Sequence, residues 1–109
     1  MITWDDFEKI DIRVGTIIDA CEFPHAKKPA YQLTIDFGML GIKKSSAQIT
    51  ALYKLNELVG KQVIAVVNFP VKQIANFFSE CLVLGLYNEA QEVVLLQPSI
   101  PAKNGSKIG

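Results

Sequence analysis

Hydrophobic and polar residues alternate along much of the chain, and a period of two predicts β-strands. The clearest case is Tyr31–Phe37, in which every second residue is apolar. An earlier strand begins at Ile10, and its alternation slips after Gly15 because Ile17 and Ile18 are adjacent. A glycine beside a slip in phase indicates a β-bulge, which lets a long strand bend and pair with two neighbours. The sequence therefore predicts a long bent strand followed by a straight one.

Further strands are predicted downstream of these two. Ile42–Ile49 is a polar strand, so most of its side chains have no core to face. Gln62–Phe69 contains a continuous apolar run, which is typical of a strand buried on both sides. Val71–Phe78 is predicted to be irregular or to form one helical turn. Cys81–Tyr87 is the next strand, and it turns at its end into the apolar run Val93–Leu96.

Two short helices are predicted from their capping residues. Thr3 caps the first helix, with Asp6 three residues later as in a capping box, and this helix ends by Lys9. Thr50 caps the second helix, which has leucines at helical spacing and ends at Gly60. The second helix falls between the third and fourth predicted strands.

The order of these elements predicts an all-β protein with an OB fold, a five-stranded barrel that carries a helix between strands 3 and 4. A short N-terminal helix precedes the barrel, and an extension from Pro98 to Gly109 follows it. A chain of 109 residues, of which 50% are hydrophobic, has the size of one domain, so residues 1–109 are predicted to form a single unit. The pattern leaves an open α+β sheet as the alternative.

The charge balance limits the kinds of partner. Eleven basic and eleven acidic residues cancel, whereas proteins that coat nucleic acid without selectivity usually carry a strong positive surplus. Any binding of nucleic acid must therefore come from a local cluster. The N-terminus is acidic where a signal peptide would be basic, and no apolar run approaches the roughly 18 residues of a membrane helix. The sequence predicts a soluble cytoplasmic protein without a membrane partner.

No arrangement of residues is typical of an enzyme. Ser45 and Ser46 have no base beside them, and the G-x-S-x-G turn is absent. His25, the only histidine, lies in a proline-flanked loop and is expected to be exposed. Cys21 and Cys81 lack metal-ligand spacing and are expected to be reduced and mostly buried. The sequence therefore predicts a non-catalytic protein that binds neither a metal ion nor a cofactor.

The polar third strand is the natural place for a binding surface, because OB barrels bind strands of nucleic acid across strands 2 and 3. Its candidate residues carry charge or hydrogen-bonding groups and are Lys43, Lys44, Ser46 and Gln48. The stretch that begins at the end of the fourth strand adds three amides, namely Asn68, Gln73 and Asn76. It also adds candidates for a hydrophobic groove, which are Phe69, Val71, Ile74 and Phe77.

Two expectations concern the aromatic residues. Phe77 and Phe78 are adjacent, and neighbouring residues of an extended chain point to opposite sides, so at least one of them is expected in the core. Tyr31 and Phe37 could stack on bases, but their alternation with polar residues favours the core.

Several short motifs are shared with a known family and extend over nearly the whole chain. They are Asp11–Gly15, Lys28–Tyr31, Ile35–Gly38, Lys43–Thr50, Val66–Pro70, Ser79–Gly85 and Asn104-Gly105. With these motifs the chain resembles the tRNA-binding OB domain of bacterial methionyl-tRNA synthetase tails, phenylalanyl-tRNA synthetase β chains and endothelial monocyte-activating polypeptide. The Ser-Ser-Ala-Gln-Ile and Val-Val-Asn-Phe-Pro stretches resemble the free-standing CsaA-type secretion chaperones within that superfamily.

The resemblance implies a homodimer that pairs through its barrels and terminal extensions and binds exported precursor proteins without ATP. It also implies RNA contacts at Lys43, Asn68 and Ser79, where tRNA-binding relatives carry a basic residue, an asparagine and a serine. Those relatives have a Lys-Met-Arg-Gly segment before the serine. Here Gln73–Asn76 takes its place without either basic residue, and Lys72 supplies one charge just upstream.

Two functions remain open at this point. The first is an ATP-independent chaperone that binds unfolded or exported precursor proteins in a groove of a dimer. The second is a structure-selective tRNA-binding protein. The missing basic pair on Gln73–Asn76 favours the peptide ligand. A third function, assembly of a synthetase complex, would require a partner chain that the sequence does not name.

Overall fold

The computed structural model describes residues 1–109. It contains two short α-helices, one 3-10 turn and nine β-strands. In chain order they are α1 (Trp4–Glu8), β1 (Ile12–Glu22), β2 (Tyr31–Asp36), the 3-10 turn (Gly38–Leu40), β3 (Ile42–Ala47), α2 (Leu55–Leu58), β4 (Gln62–Val66), β5 (Lys72–Ile74), β6 (Phe77–Ser79), β7 (Leu82–Val83), β8 (Gly85–Tyr87) and β9 (Val93–Leu95). Neither helix has the length and apolar character needed to cross a membrane.

Five strands form one antiparallel sheet in the order β3-β2-β1-β4-β7, while β5–β6 and β8–β9 form separate hairpins. The ends of the sheet meet at Glu80. Its N–H donates to the Lys44 carbonyl over 2.7 Å, and its Oε1 accepts from the Lys44 N–H over 2.9 Å. The sheet is therefore curled into a nearly closed barrel, with α2 between β3 and β4. The predicted all-β OB fold is confirmed.

β1 pairs with two neighbours, as the predicted bent strand requires. Its first half, Ile12–Thr16, pairs with β4, and its second half, Thr16–Glu22, pairs with β2. The bulge lies between Ile17 and Asp19 and not at Gly15, where the sequence predicted it. The position of a bulge depends on the partner strand, because the extra residue is the one that the partner leaves unpaired.

The inward face of the barrel forms the core. The alternation predicted for Tyr31–Phe37 is confirmed, because its odd-numbered residues are buried and its even-numbered residues reach the surface. The Tyr31 hydroxyl donates to the Tyr53 carbonyl over 2.8 Å. Tyr31 and Phe37 are core residues, as expected, and offer no stacking platform. The residues that are fully buried with Phe37 are Ile17, Leu33, Ile35, Leu58, Val63, Ala65 and Ser45.

The second helix is shorter than predicted. It begins after Lys54 and spans Leu55–Leu58, so Thr50 does not cap it. The leucine spacing that suggested a longer helix includes Leu52, which is exposed, whereas Leu58 is fully buried. A longer helix that began at Thr50 would have an exposed first turn and would gain little stability from packing there. The helix is therefore limited to the turn that contains the buried Leu58.

Val71–Phe78 is neither irregular nor helical, because it contains the β5–β6 hairpin. The two-residue turn of this hairpin places Ala75 at a φ of 54°. Glycine or asparagine usually occupies such a left-handed position, so the sequence carries no hairpin signal here. The Gln73 side chain donates to the Ala75 carbonyl over 3.0 Å and holds the turn.

The predicted strand Cys81–Tyr87 is divided into β7 and β8 at Leu84. The Leu84 N–H donates to Ile64 of β4, while its carbonyl accepts from Leu96. The chain therefore passes at this residue from the main sheet to the β8–β9 hairpin.

The C-terminal extension pairs with the first half of β1, on the side that β2 leaves free. Val14 donates to the Ser106 carbonyl over 3.0 Å and accepts from the Gly105 N–H over 2.7 Å. The Thr16 hydroxyl donates to the Asn104 side chain over 2.6 Å. The extension is therefore part of the folded unit.

α1 begins as predicted. The Thr3 N–H donates to the Asp6 carboxylate over 2.9 Å, and the Asp6 N–H donates to the Thr3 hydroxyl over 3.1 Å, so the capping box is confirmed. Asn68 ties the end of this segment to the barrel. Its side chain accepts from the Asp11 N–H over 3.0 Å and donates to the Lys9 carbonyl over 2.7 Å.

The substitution Gly15→Ala is expected to destabilise the barrel. The added methyl group would lie 2.6 Å from the Ile35 side chain and 2.7 Å from the Phe37 ring, and both residues are fully buried. Overpacking of this kind costs about 1–3 kcal/mol, so the midpoint of urea unfolding should fall. Gly109→Ala is the control, because nothing lies within 4 Å of a Cβ there. An unchanged midpoint for Gly15→Ala would contradict the close packing.

Candidate binding site

The loop between β1 and β2, the end of β3 and the β5–β6 hairpin enclose a cavity of about 590 Å³, which we call the basic groove. Its ionisable side chains are all bases, and they are His25, Lys27, Lys28 and Lys72. The other residues that line it are small, polar or aliphatic and comprise Ser46, Gln48, Gln73, Ile74, Ala26, Ala30 and Ala75. A chain with no net charge thus concentrates positive charge at one place.

Two phenylalanines hold the walls of the basic groove together. The ring centroids of Phe23 and Phe77 lie 5.3 Å apart, and the rings pack with Ala30 and Ile74 in a cluster separate from the main core. Phe23 belongs to the loop and Phe77 to the hairpin, so the contact fixes one against the other. Phe77 is 8% exposed and is a core residue, not the open groove residue that the sequence suggested. Its neighbour Phe78 points outward, which confirms that the two adjacent side chains lie on opposite sides of the strand.

His25, Lys27 and Lys28 were missed as binding residues by the sequence analysis. They lie in a loop without hydrophobic periodicity, and His25 is exposed, as expected. One signal could have found them. In OB folds the loop between strands 1 and 2 flanks the ligand-binding face, and here that loop carries two adjacent lysines between Pro24 and Pro29.

The predicted strip on β3 is divided between the two faces of the strand. In the β2–β3 ladder Lys43 lies opposite the fully buried Ile35, whereas Lys44 lies opposite Thr34 at the surface. Residues that lie opposite each other in an antiparallel pair share a face. Lys43 therefore leaves the strand toward the inner face of the barrel, and Lys44 and Ser46 leave it toward the outer face.

A second cavity, of about 420 Å³, lies where the chain leaves β4 and returns to β7, and we call it the apolar groove. Phe69, Val71 and Leu82 line it and are 55%, 58% and 47% exposed. Pro70, Lys72, Ser79 and Cys81 complete its lining. The structure thus brings together four of the predicted residues, and Lys72 lines both grooves.

Five predicted residues line neither groove, namely Lys43, Lys44, Asn68, Asn76 and Phe77. Lys43 points toward the inner face, and Asn76 is exposed at the turn of the hairpin. The Asn68 amide is already hydrogen-bonded at both its oxygen and its nitrogen near α1. Its position is therefore explained by the fold without a ligand.

The two cysteines differ in their surroundings. Cys81 is buried, as expected, and burial raises the pKa of its thiol to about 11, while a hydrogen bond with Ser45 and the charge of Lys43 oppose this shift. The thiol is therefore uncharged at neutral pH and unsuited to nucleophilic chemistry. Cys21 is exposed, contrary to expectation, because it lies on the outward face of β1 opposite Gln32. No group of three His, Cys, Asp or Glu side chains is placed to hold a metal ion.

Residues 12–107 match the family described as "Putative tRNA binding domain". The chain belongs to this tRNA-binding domain family. The matched residues run from the start of β1 to the extension that pairs with it, so they include the barrel, the β5–β6 hairpin and both grooves.

Solved structures share the fold over its full length. Chaperone CsaA from Bacillus anthracis is 53% identical, with a TM-score of 0.95, and the match covers 100% of this chain and 99% of that chain. The CsaA chaperone protein from Picrophilus torridus is 56% identical, with a TM-score of 0.94, and the match covers 100% of both chains. These matches and the family together identify a CsaA-type tRNA-binding OB-domain protein, as the resemblance implied.

The curated relatives are much longer proteins. Methionine–tRNA ligase from Bacteroides fragilis is 36% identical over 107 residues, which are 98% of this chain and 16% of that enzyme. Methionine–tRNA ligase from Nanoarchaeum equitans is 35% identical over 111 residues, which are 99% of this chain and 14% of that enzyme. The chain thus corresponds to a small part of these ligases. Its matches to a binding domain and to proteins named as chaperones favour a non-catalytic module.

Proposed function

We propose that the protein is a non-catalytic, ATP-independent chaperone that binds unfolded or exported precursor proteins as a cytoplasmic homodimer. The observation that carries this proposal is the apolar groove, in which Phe69, Val71 and Leu82 are about half exposed. Ser79 and Lys72 line the same groove and can hydrogen-bond a peptide backbone. The full-length similarity to two proteins named as chaperones supports the proposal.

The size of the apolar groove suits a weak and reversible grip. Covering a large apolar side chain completely stabilises a complex by about 1.5–3 kcal/mol. Phe69, Val71 and Leu82 are already about half covered in the free protein, so each contributes only part of this amount. Ordering an unfolded segment opposes binding. A chaperone must release its clients, and three partly exposed side chains provide contact without tight retention.

The chain termini provide the surface for a homodimer. Ile2, Trp4 and Phe7 lie with Gly109 around an apolar depression of about 760 Å³. Trp4 is 85% exposed, and no residue of α1 is buried. A five-residue helix with no buried residue gains little stability from packing within its own chain. We infer that a second copy covers this surface.

Sedimentation is expected to give twice the chain mass, and Trp4→Ser should shift the protein toward the monomer. A buried tryptophan contributes a large contact area, roughly 150–250 Å². Trp4 is the only tryptophan, so its fluorescence should move to longer wavelength as the protein is diluted into the monomer. Trp4→Phe is the control and should keep the dimer. A monomeric mass for the unmodified protein would contradict the proposed dimer.

The double substitution Phe69→Ser with Val71→Ser is expected to weaken client binding by about tenfold or more, because it removes apolar surface from the groove. The measurement is the affinity for a reduced, alkylated and unfolded protein, together with suppression of its aggregation. Ile100→Ser is the matched control, since Ile100 is 73% exposed and lines neither groove. Equal loss in both variants, or no loss in either, would contradict the assignment of the apolar groove.

The basic groove favours a second candidate function, the structure-selective binding of tRNA. Lys27, Lys28 and Lys72 can contact phosphates, and no Phe, Tyr or Trp side chain lines the groove to stack on bases. Contacts of this kind follow the shape of a folded RNA more than its sequence. The family described as a tRNA-binding domain supports this second candidate.

If the basic groove binds tRNA, Lys28→Glu is expected to weaken binding and to lower the slope of log affinity against log salt by about one, which is the share of one phosphate contact. The measurement is tRNA binding between low and physiological salt. Lys103→Glu makes the same charge change at another exposed lysine and is the control. Equal effects of the two substitutions would show attraction by overall charge and not binding in the groove. No shift at low salt would exclude the second function.

A further inference from the structure

The barrel has an opening between β3 and β7, the two ends of its sheet. We call this opening the seam and define it by Ser46–Ile49 on one side and Leu82–Gly85 on the other. The Glu80 backbone bond to Lys44 joins the two sides at one end of the opening. Beyond that point no ladder connects them, because β3 pairs only with β2, and β7 pairs only with β4.

On the β3 side, the backbone of Ser46 faces the seam. Along an antiparallel strand, the backbone N–H and C=O groups of successive residues point alternately toward the partner strand and away from it. The Lys44 N–H and carbonyl bond to Glu80, so Lys44 faces away from β2. Ser46 lies two residues later and faces the same way. Its N–H makes no backbone hydrogen bond to another segment of the chain.

On the β7 side, the backbone of Val83 faces the seam for the same reason. Leu84 donates to the Ile64 carbonyl over 2.8 Å, which makes Ile64 and Leu84 a bonded pair. Val83 lies opposite Ala65, one residue before the bonded pair. Its backbone N–H and C=O groups therefore point away from β4. The seam thus presents an unpaired strand edge on each side.

The cavity between these edges has a volume of about 310 Å³, and eight of its eleven lining residues are hydrophobic. Its lining contains no charged residue and comprises Ser46, Ala47, Gln48, Ile49, Leu82, Val83, Leu84, Gly85, Tyr87, Val93 and Leu95. Leu82 also lines the apolar groove, while Ser46 and Gln48 also line the basic groove. The cavity therefore connects the two grooves.

We propose that the seam binds an extended segment of a client polypeptide, which adds to the β3 edge at Ser46 as a further strand. This inference deepens the proposed chaperone function and rests on it. Strand addition gives affinity through main-chain hydrogen bonds and is tolerant of sequence, as a chaperone with many clients requires. Glu80 already satisfies the donor of this edge at Lys44, whereas the donor at Ser46 is free. A cavity without charge suits a peptide backbone and does not suit RNA phosphates.

The test uses a capped hexapeptide of alternating valine and threonine, which carries no charge and gains nothing from the basic groove. Ser46→Pro removes the seam donor but no hydrogen bond to β2, and proline is tolerated at such edge positions. Peptide affinity should fall by about tenfold. Ile42→Pro is the matched control, since it removes an equivalent donor from the same edge outside the cavity. Equal affinities of the two variants would overturn the proposal.

A second measurement leaves the protein unchanged. The amide protons of Ser46 and Val83 should exchange rapidly in the free protein, and Ser46 should become protected when the hexapeptide binds. A hexapeptide that is N-methylated at alternate residues should lose about tenfold in affinity, because strand addition needs its N–H groups. Unchanged exchange at Ser46, full binding of the methylated peptide, or protection by an oligonucleotide instead would each overturn the proposal. Loss of binding to every unfolded client would instead refute the chaperone function itself.

Discussion

The barrel depends on the pairing of β1 with β2 and β4 at the same time. The bulge after Ile17 turns the strand from one neighbour to the other, and Gly15 lets Ile35 and Phe37 pack close to its backbone. This curvature brings β3 and β7 face to face, where Glu80 bonds to the Lys44 backbone and the Ser45 hydroxyl donates to the Cys81 carbonyl. The loop that follows β1 meets the β5–β6 hairpin through the contact of Phe23 with Phe77. Both grooves and the seam therefore follow from one strand that bends.

Most of the fold could be predicted from sequence, because its strongest signals are local. The alternation of Tyr31–Phe37 and the capping box at Thr3 involve residues only a few positions apart. The β5–β6 hairpin could not be predicted, because Ala75 takes a left-handed conformation without a glycine to mark it. The sequence predicts the bulge at Gly15 instead of after Ile17 for a related reason. Pairing with a distant strand, and not the local sequence, decides which residue of the bulged strand has no partner in the ladder.

The candidate site could be predicted only in part. The polarity of β3 identified Ser46 and Gln48, but the register with β2 decides that Lys43 faces inward, and register depends on tertiary structure. Lys27 and Lys28 line the basic groove because the loop that carries them is held against the hairpin by the contact of Phe23 with Phe77. These two phenylalanines lie far apart in the chain. A pattern within either segment could not reveal that contact.

The distribution of charge is the reason that we propose a peptide ligand for a chain in a tRNA-binding family. Gln73–Asn76 of the hairpin carries no basic residue, so the positive charge of the basic groove comes from the β1–β2 loop and Lys72. A phosphate backbone is held best by charges along its path, and here they lie in the basic groove, with Lys72 shared by the apolar groove. The path continues into an uncharged cavity and an apolar groove with Phe69 and Val71. On this proposal an extended polypeptide would find backbone donors and apolar contacts along that whole path, whereas an RNA strand would meet no charge in the cavity and only Lys72 in the apolar groove.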